Sequence, residues 1–252
     1  MSSLAVPEPL ADGSPRVRAR IAGLLYLIII VGGIFAQIGV RDRLVVSGDP
    51  AATAGNIVAH ELLYRMGFAV EIFYLLCSIP LTLLLYNLFK AVDRSLAVVM
   101  VLFAAVGAAI QGVILLAHYA PLVFLGKSAY LSAFTTAQLQ VAAYVSLRIF
   151  DYGYMIALAF FGCFCLIIGY LILRSTFFPR LVGPFLVIEG ALYLTNSFAH
   201  FVAPAVGARV FPFLAVSGIA EVSFCLCLLV VGVNARRWNE QAAWSSRRSV
   251  PA

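Results

Sequence analysis

Residues 21–40 read IAGLLYLIIIVGGIFAQIGV, a run of twenty residues without a single charged side chain. A helix rises about 1.5 Å per residue, so this run is long enough to cross the roughly 30 Å of hydrocarbon in a bilayer. Basic residues flank it on both sides: Arg16, Arg18 and Arg20 before it, and Arg41 and Arg43 after it. The stretch therefore predicts a transmembrane helix.

A cleavable signal peptide is the alternative interpretation of this first stretch, because it too has a basic region followed by an apolar one. The residues from Ile34 to Ala36 match a small-residue cleavage site poorly. We therefore expect an uncleaved helix. Cleavage stays open at this stage, because loss of the first span would leave the other spans in the same orientation.

The remainder of the chain is equally apolar. Of its 252 residues 63% are hydrophobic and 11% charged, against roughly 45–50% and about 25% in a soluble domain, and the mean hydropathy is +1.02. Five further apolar spans are predicted, at 66–89, 95–122, 149–173, 181–202 and 211–233. The sequence thus predicts an all-α protein, a polytopic bundle of about six transmembrane helices whose partner is the lipid bilayer.

Two segments between the spans are predicted to form short amphipathic helices on the outer surface. In the first, Asp49 supplies an N-cap, Pro50 occupies the first helical position, and the apolar face runs through Ile57, Leu62 and Leu63; the second covers residues 126–148. The predicted domains are a disordered cytoplasmic tail at 1–15, a transmembrane domain at 16–234 and a basic cytoplasmic tail at 235–252.

The distribution of positive charge predicts the orientation. The N-terminal, 90–94, 174–180 and C-terminal segments hold eleven Lys and Arg residues, and the segments on the other side hold six. Positive residues accumulate on the cytoplasmic side of membrane proteins, so both termini are expected in the cytoplasm. These flanking residues also account for the net charge of +6, and no nucleic-acid partner is expected.

Polar side chains inside the spans are the candidate functional residues, because a charge in the middle of a bilayer is costly. Glu71, Glu189 and Glu221 all fall within predicted spans. On the fifth span, Glu189, Tyr193, Asn196 and His200 follow one another at spacings of 4, 3 and 4, which places them on one helical face. Gln111 and His118 are seven residues apart and also share a face.

These faces predict a polar cavity that leans toward the outer side of the membrane. It would bind a small polar or cationic ligand, or relay protons, through six residues: Glu71, Gln111, Glu189, Tyr193, Asn196 and Glu221. The structural alternative is that each glutamate is neutral and hydrogen-bonds a neighbouring helix.

Two further functions remain open from the residues alone. An intramembrane enzyme could hold zinc through His118, His200 and Asp151 or Glu71, and the two histidines could less plausibly ligate haem. A scaffold or homo-oligomer could pack through the small residues Ala104, Ala108 and Gly112. No nucleotide-binding, serine-hydrolase or zinc-protease motif is present, so the sequence does not decide whether the protein is an enzyme.

Several stretches of the chain resemble one family over nearly its whole length. They are ARIAGLLYLIIIVGGIFA at 19–36, RDRLVVSGDPAATAGNI at 41–57, ELLYR at 61–65 and FFGCFCLIIGYLILRSTFFPRLVGPFLVIEGALYL at 160–194. In these the chain is similar to the DUF4386 family of bacterial membrane proteins. The resemblance implies a multi-pass protein of the bacterial inner membrane that keeps its first span, and it implies no activity and no catalytic residues.

Overall fold

The computed structural model describes residues 14–210 and 215–248, and within them it contains helices and no strands. This confirms the all-α class. Five of the described helices are long and apolar enough to cross a membrane, and a sixth span is counted when one bent pair is included. The predicted tail at 1–15 lies almost wholly outside the described residues.

The helices follow one another with short connections. In chain order they are α1 (Pro15–Ile34), α2 (Pro50–Ala59), α3 (Glu61–Phe89), α4 (Arg94–Phe124), α5 (Thr136–Arg174), α6 (Val182–Val202), α7 (Pro204–Val210), α8 (Ala215–Leu226) and α9 (Ala235–Arg248). The first span continues beyond α1 through a π-helical stretch, Phe35–Arg41, to Leu44. α8 continues as a π-helical stretch, Cys227–Val231.

The first outer helix begins where the sequence predicts. Asp49 is its N-cap and accepts a hydrogen bond from the backbone N–H of Ala52 at 2.9 Å, and Pro50 is its first residue. The helix ends at Ala59. Leu62 and Leu63, which the pattern assigned to it, belong instead to the spanning helix α3.

The second outer helix was wrongly predicted as a separate element. A capping box of Thr135 and Gln138 starts α5 at Thr136, and the helix then runs unbroken for 39 residues. No proline interrupts it, so the polar segment and the fourth span form one rod of roughly 58 Å, about twice the hydrocarbon thickness. A short 3₁₀ turn, Ala129–Ala133, precedes it.

Within the predicted C-terminal tail, residues 235–248 form the helix α9. Gly232 has φ 65°, a left-handed conformation that glycine adopts without strain. The chain turns there, and the two helices flanking the turn differ in direction by 103°. The predicted start of the sixth span, Phe211, lies outside the described residues.

Two apolar clusters close the two ends of the bundle. The larger lies at the end that carries both described chain ends, here called the terminal end, and includes Leu88, Met100 and Leu228. The smaller lies at the opposite, far end and includes Val40, Ile57 and Tyr64. At the far end, Tyr64 of the apolar cluster also contacts the buried His118.

Glycines bring α5 and α6 into direct backbone contact. A Cβ on Gly162 would lie 3.0 Å from the carbonyl oxygen of Gly190, and a Cβ on Gly190 would lie 2.6 Å from that of Gly162. Gly169 and Gly183 repeat the arrangement seven residues away, at 2.9 Å in both directions. Small residues allow such close packing of transmembrane helices. This seam fixes the position of α6, which carries Glu189.

Substituting alanine for Gly190 tests the seam. Its methyl group would overlap a backbone carbonyl that cannot rotate away, so we expect a loss of about 1–3 kcal/mol in the free energy of unfolding, measured by SDS titration in bicelles. Gly33→Ala is the matched control, because a Cβ there meets nothing within 4 Å. Equal stability of both variants would contradict backbone contact at the seam.

Candidate functional site

A buried charged cluster lies toward the far end of the bundle and joins three helices. The guanidinium group of Arg41, at the end of the π-helical stretch, forms an ion pair with one carboxylate oxygen of Glu71 on α3. The other oxygen contacts Nδ1 of His118 on α4. Glu71 is 1% exposed and His118 is fully buried. The Arg41–Glu71–His118 cluster therefore holds its charges away from solvent.

Neighbouring side chains hold Arg41 in place. Its Nε and Nη2 donate to the side-chain oxygen of Gln37 at 3.0 and 2.7 Å. Its guanidinium group lies 5.0 Å from the ring centroid of Phe150, a cation–π contact. π-Helical turns often occur at functional sites, and this one ends at the residue that pairs with Glu71.

Aromatic rings enclose the histidine of the cluster. The hydroxyl of Tyr64 donates to the backbone carbonyl of His118. The rings of Tyr64 and Phe150 each lie 5.0 Å from the imidazole, centroid to centroid. The Nε2 atom of His118 has no hydrogen-bond partner among the described residues. One imidazole nitrogen is thus engaged and the other is free.

A second polar group consists of two carboxyl groups on different helices. Glu189 on α6 is 1% exposed and lies beside Glu221 on α8. The hydroxyl of Tyr193 donates to Glu221 Oε1 at 2.9 Å. In the described part of the chain, neither oxygen of Glu189 has a hydrogen-bond partner of normal geometry. A deeply buried carboxyl group without a donor is unusual, which makes the Glu189–Glu221 pair the strongest candidate for a functional centre.

Two tyrosines lie close to these polar groups. The hydroxyl of Tyr154 on α5 is close enough to Glu221, Glu71 and Arg41 to interact with their charges. Tyr74 is within reach of Tyr154, and its hydroxyl accepts a hydrogen bond from Gln111 at 2.9 Å. Tyr154 therefore interacts with the charges of both polar groups, and Tyr74 interacts with those of the charged cluster.

The remaining predicted residues are less central. The amide of Asn196 donates to the sulfur of Met155 at 3.3 Å. The ring of His200 packs against Tyr152 and Phe201, and its Nε2 has no partner within the described residues. The six residues predicted to line one cavity thus fall into separate contacts: Glu71 in the cluster, Glu189, Tyr193 and Glu221 in the pair, Gln111 on Tyr74, and Asn196 on Met155.

The predicted metal site is not assembled. His118 is committed to Glu71, and Asp151 is paired with Arg148 at 3.0 Å. Across residues 14–210 and 215–248 there is no group of three or more His, Cys, Asp or Glu side chains placed to hold a metal ion. The arrangement therefore lends no support to zinc held by His118, His200 and Asp151, nor to haem held between the two histidines.

Arg41 is the site residue that the sequence pattern missed. It was read as a basic residue flanking the first span, which was expected to end at Val40. The helix instead continues to Leu44, and the side chain of Arg41 is only 13% exposed. Arg41 follows Gln37 by four residues, so the two would share a face if the helix continued, and this spacing could have indicated the longer helix.

Removing the charge of Arg41 tests the cluster. In Arg41→Gln the buried carboxylate of Glu71 loses its ion-pair partner, so we expect a loss of about 3–5 kcal/mol in the free energy of unfolding. The double variant Arg41→Gln/Glu71→Gln should recover part of that loss, because no unpaired charge remains. Glu61→Gln breaks the half-exposed pair with Arg65 and should cost at most about 1 kcal/mol. Additive effects of the two cluster substitutions would contradict the ion pair.

One of the comparisons with known proteins identifies a family. The family model described as a domain of unknown function, DUF4386, matches residues 21–232, which is most of the chain and includes its first span. No curated protein and no solved structure matches the chain. The chain belongs to the DUF4386 family.

Proposed function

We propose that this protein takes up and passes on protons inside the membrane without acting as an enzyme, and that the Glu189–Glu221 pair is its deep proton acceptor. The observation that carries the proposal is the carboxyl group of Glu189, which is buried beside another carboxyl group and, within residues 14–210 and 215–248, makes no hydrogen bond of normal geometry. Ionisable side chains inside a membrane are rare, and they mark proton relays and ligand paths.

Two neighbouring carboxyl groups are suited to hold one proton between them. Two adjacent negative charges repel strongly where the dielectric constant is low, so the singly protonated pair is the favoured state. The hydroxyl of Tyr193 donates to Glu221 and supports negative charge on that side of the pair. Glu189 is then the member that exchanges the proton.

His118 is the second proton carrier in this proposal. Imidazole can accept a proton at one nitrogen and release one from the other. Nδ1 of His118 faces Glu71, whose charge is compensated by Arg41, and Nε2 is without a partner in the described part of the chain. In this proposal Tyr154, whose hydroxyl is close enough to both Glu221 and Glu71 to interact with their charges, is the relay group between them.

Binding of a small cation is a second candidate function. The oxygens of Glu189 are acceptors without donors, which is also the chemistry that an ammonium group or a monovalent metal ion would use. Na⁺ or methylammonium should then raise the melting temperature of the purified protein, and Glu221→Gln should abolish the effect.

Proton movement can be measured in liposomes that contain the purified protein and a trapped pH-sensitive dye. A potassium diffusion potential should change the internal pH faster than in protein-free liposomes. Glu189→Gln and Glu221→Gln cannot exchange a proton at that position, so each should lower the rate at least about tenfold.

Glu61→Gln is the matched control, because Glu61 is half exposed and pairs with Arg65 at the start of α3. It should keep the wild-type rate. Wild-type liposomes that behave like protein-free ones, or glutamine variants at full rate, would contradict a proton relay through the pair.

We also propose that the protein lies in the bacterial inner membrane with both termini in the cytoplasm. Eleven of its basic residues fall in the segments assigned to that side, against six in the others. Green fluorescent protein fused after Ala252 should therefore fluoresce, while alkaline phosphatase fused there should be inactive. The opposite pattern would reverse the assigned orientation.

A further inference from the structure

A basic cavity lies at the terminal end of the bundle, where α9 packs against the turn between α5 and α6. Its volume is about 1000 Å³. Three arginines line it, Arg174 and Arg180 from the turn and Arg237 from α9, together with Thr176 and Trp244. Neither Glu189 nor Glu221 lines the cavity, so a ligand bound there would not depend on the function proposed above.

The positive charge of this cavity is not neutralised by ion pairs. Arg174 donates to the hydroxyl of Tyr170 at 2.9 Å, while Arg180 and Arg237 each donate to a backbone carbonyl at 3.4 Å. None of the three forms an ion pair with a carboxylate in the described part of the chain. Glu240 also lines the cavity, but it is paired with Arg236 at 3.0 Å. The lining therefore carries net positive charge.

Hydrogen bonds fix the two walls relative to each other. The side-chain oxygen of Gln241 on α9 accepts from the backbone N–H and the hydroxyl of Thr176, both at 2.9 Å. The indole N–H of Trp238 donates to the carbonyl of Leu88 at 2.9 Å. The cavity is thus preorganised, and a ligand would not have to order its walls.

The direction of α9 indicates where the cavity opens. The described part of α9 is bent by 103° from Ser217–Val231, the apolar segment before it, which belongs to the sixth candidate span. A basic helix at right angles to the spans lies along the membrane surface, and tryptophan is favoured at that depth. Trp244, half exposed on α9, is in such a position. The cavity is therefore at the level of the lipid headgroups.

We propose that this cavity binds the phosphate group of an anionic phospholipid from the adjacent leaflet. The N–H groups of an arginine guanidinium can donate two parallel hydrogen bonds to phosphate oxygens, and its positive charge complements the negative charge of the phosphate. Basic pockets at the headgroup level of membrane proteins are suited to anionic headgroups. A lipid is favoured over a soluble phosphate because α9 and Trp244 hold the cavity at the surface where acyl chains begin.

Native mass spectrometry of the detergent-purified protein, titrated with phosphatidylglycerol or phosphatidylcholine, tests the proposal. We expect one phosphatidylglycerol to bind more tightly than phosphatidylcholine. Arg180→Gln and Arg237→Gln should each lower the affinity for phosphatidylglycerol about fivefold, the factor that corresponds to roughly 1 kcal/mol per basic residue. Both side chains are exposed, so the variants should fold, and unchanged gel-filtration profiles check this.

Arg94→Gln is the matched control, because Arg94 is an exposed arginine at the same end that does not line the cavity. It should leave the affinity unchanged. The proposal would be overturned if both lipids bound equally well, or if Arg94→Gln lowered the affinity for phosphatidylglycerol as much as the cavity variants do. It would also be overturned if neither cavity variant lowered that affinity. Inorganic phosphate that displaces the lipid at comparable concentration would also overturn it, since the ligand would then be a soluble anion.

Discussion

The ion pair of Arg41 with Glu71, extended to His118, is the contact on which the arrangement of the first three spanning helices depends. Hydrocarbon cannot solvate any of these groups, so each must find its partner on another helix. The first span must continue past its apolar run to bring Arg41 to Glu71, and the π-helical stretch lies within that continuation. The register of the helices at the far end follows from where these charges meet.

The all-α architecture with five or six candidate spans could be predicted from hydrophobicity alone, because runs of about twenty apolar residues have one structural solution in lipid. The boundaries of the helices near the ends of the spans could not be predicted in this way. The helix α5 continues through a polar segment because its capping box lies at Thr135 and no breaker follows. The helix after Val233 could not be predicted because the groups that hold it, the 174–180 turn and Leu88, are distant from it in sequence.

The same distinction applies to the candidate site. Helical spacing put Glu189 and Tyr193 on one face, and both lie next to Glu221. It could not tell that Glu71 would be held by Arg41, nor that His118 would be turned toward Glu71 and away from His200, because those choices depend on how the helices are arranged around each other. Tyr154, close to both polar groups, carries no signal in the sequence beyond being a tyrosine in a span.

The glycine contacts join two pairs of segments at the level of the backbone. Gly162 and Gly190 lock the backbones of α5 and α6, and Gly23 of α1 meets the backbone of Leu229 just as closely, at 2.8 Å from an added Cβ. Each of these contacts therefore opposes sliding of the two segments that it joins. Glu189 belongs to one of these pairs and Glu221 to the helix that continues into the other. Any relative displacement of the two pairs would change the spacing of the carboxyl groups, and in the proposed relay this would couple mechanical motion to proton binding.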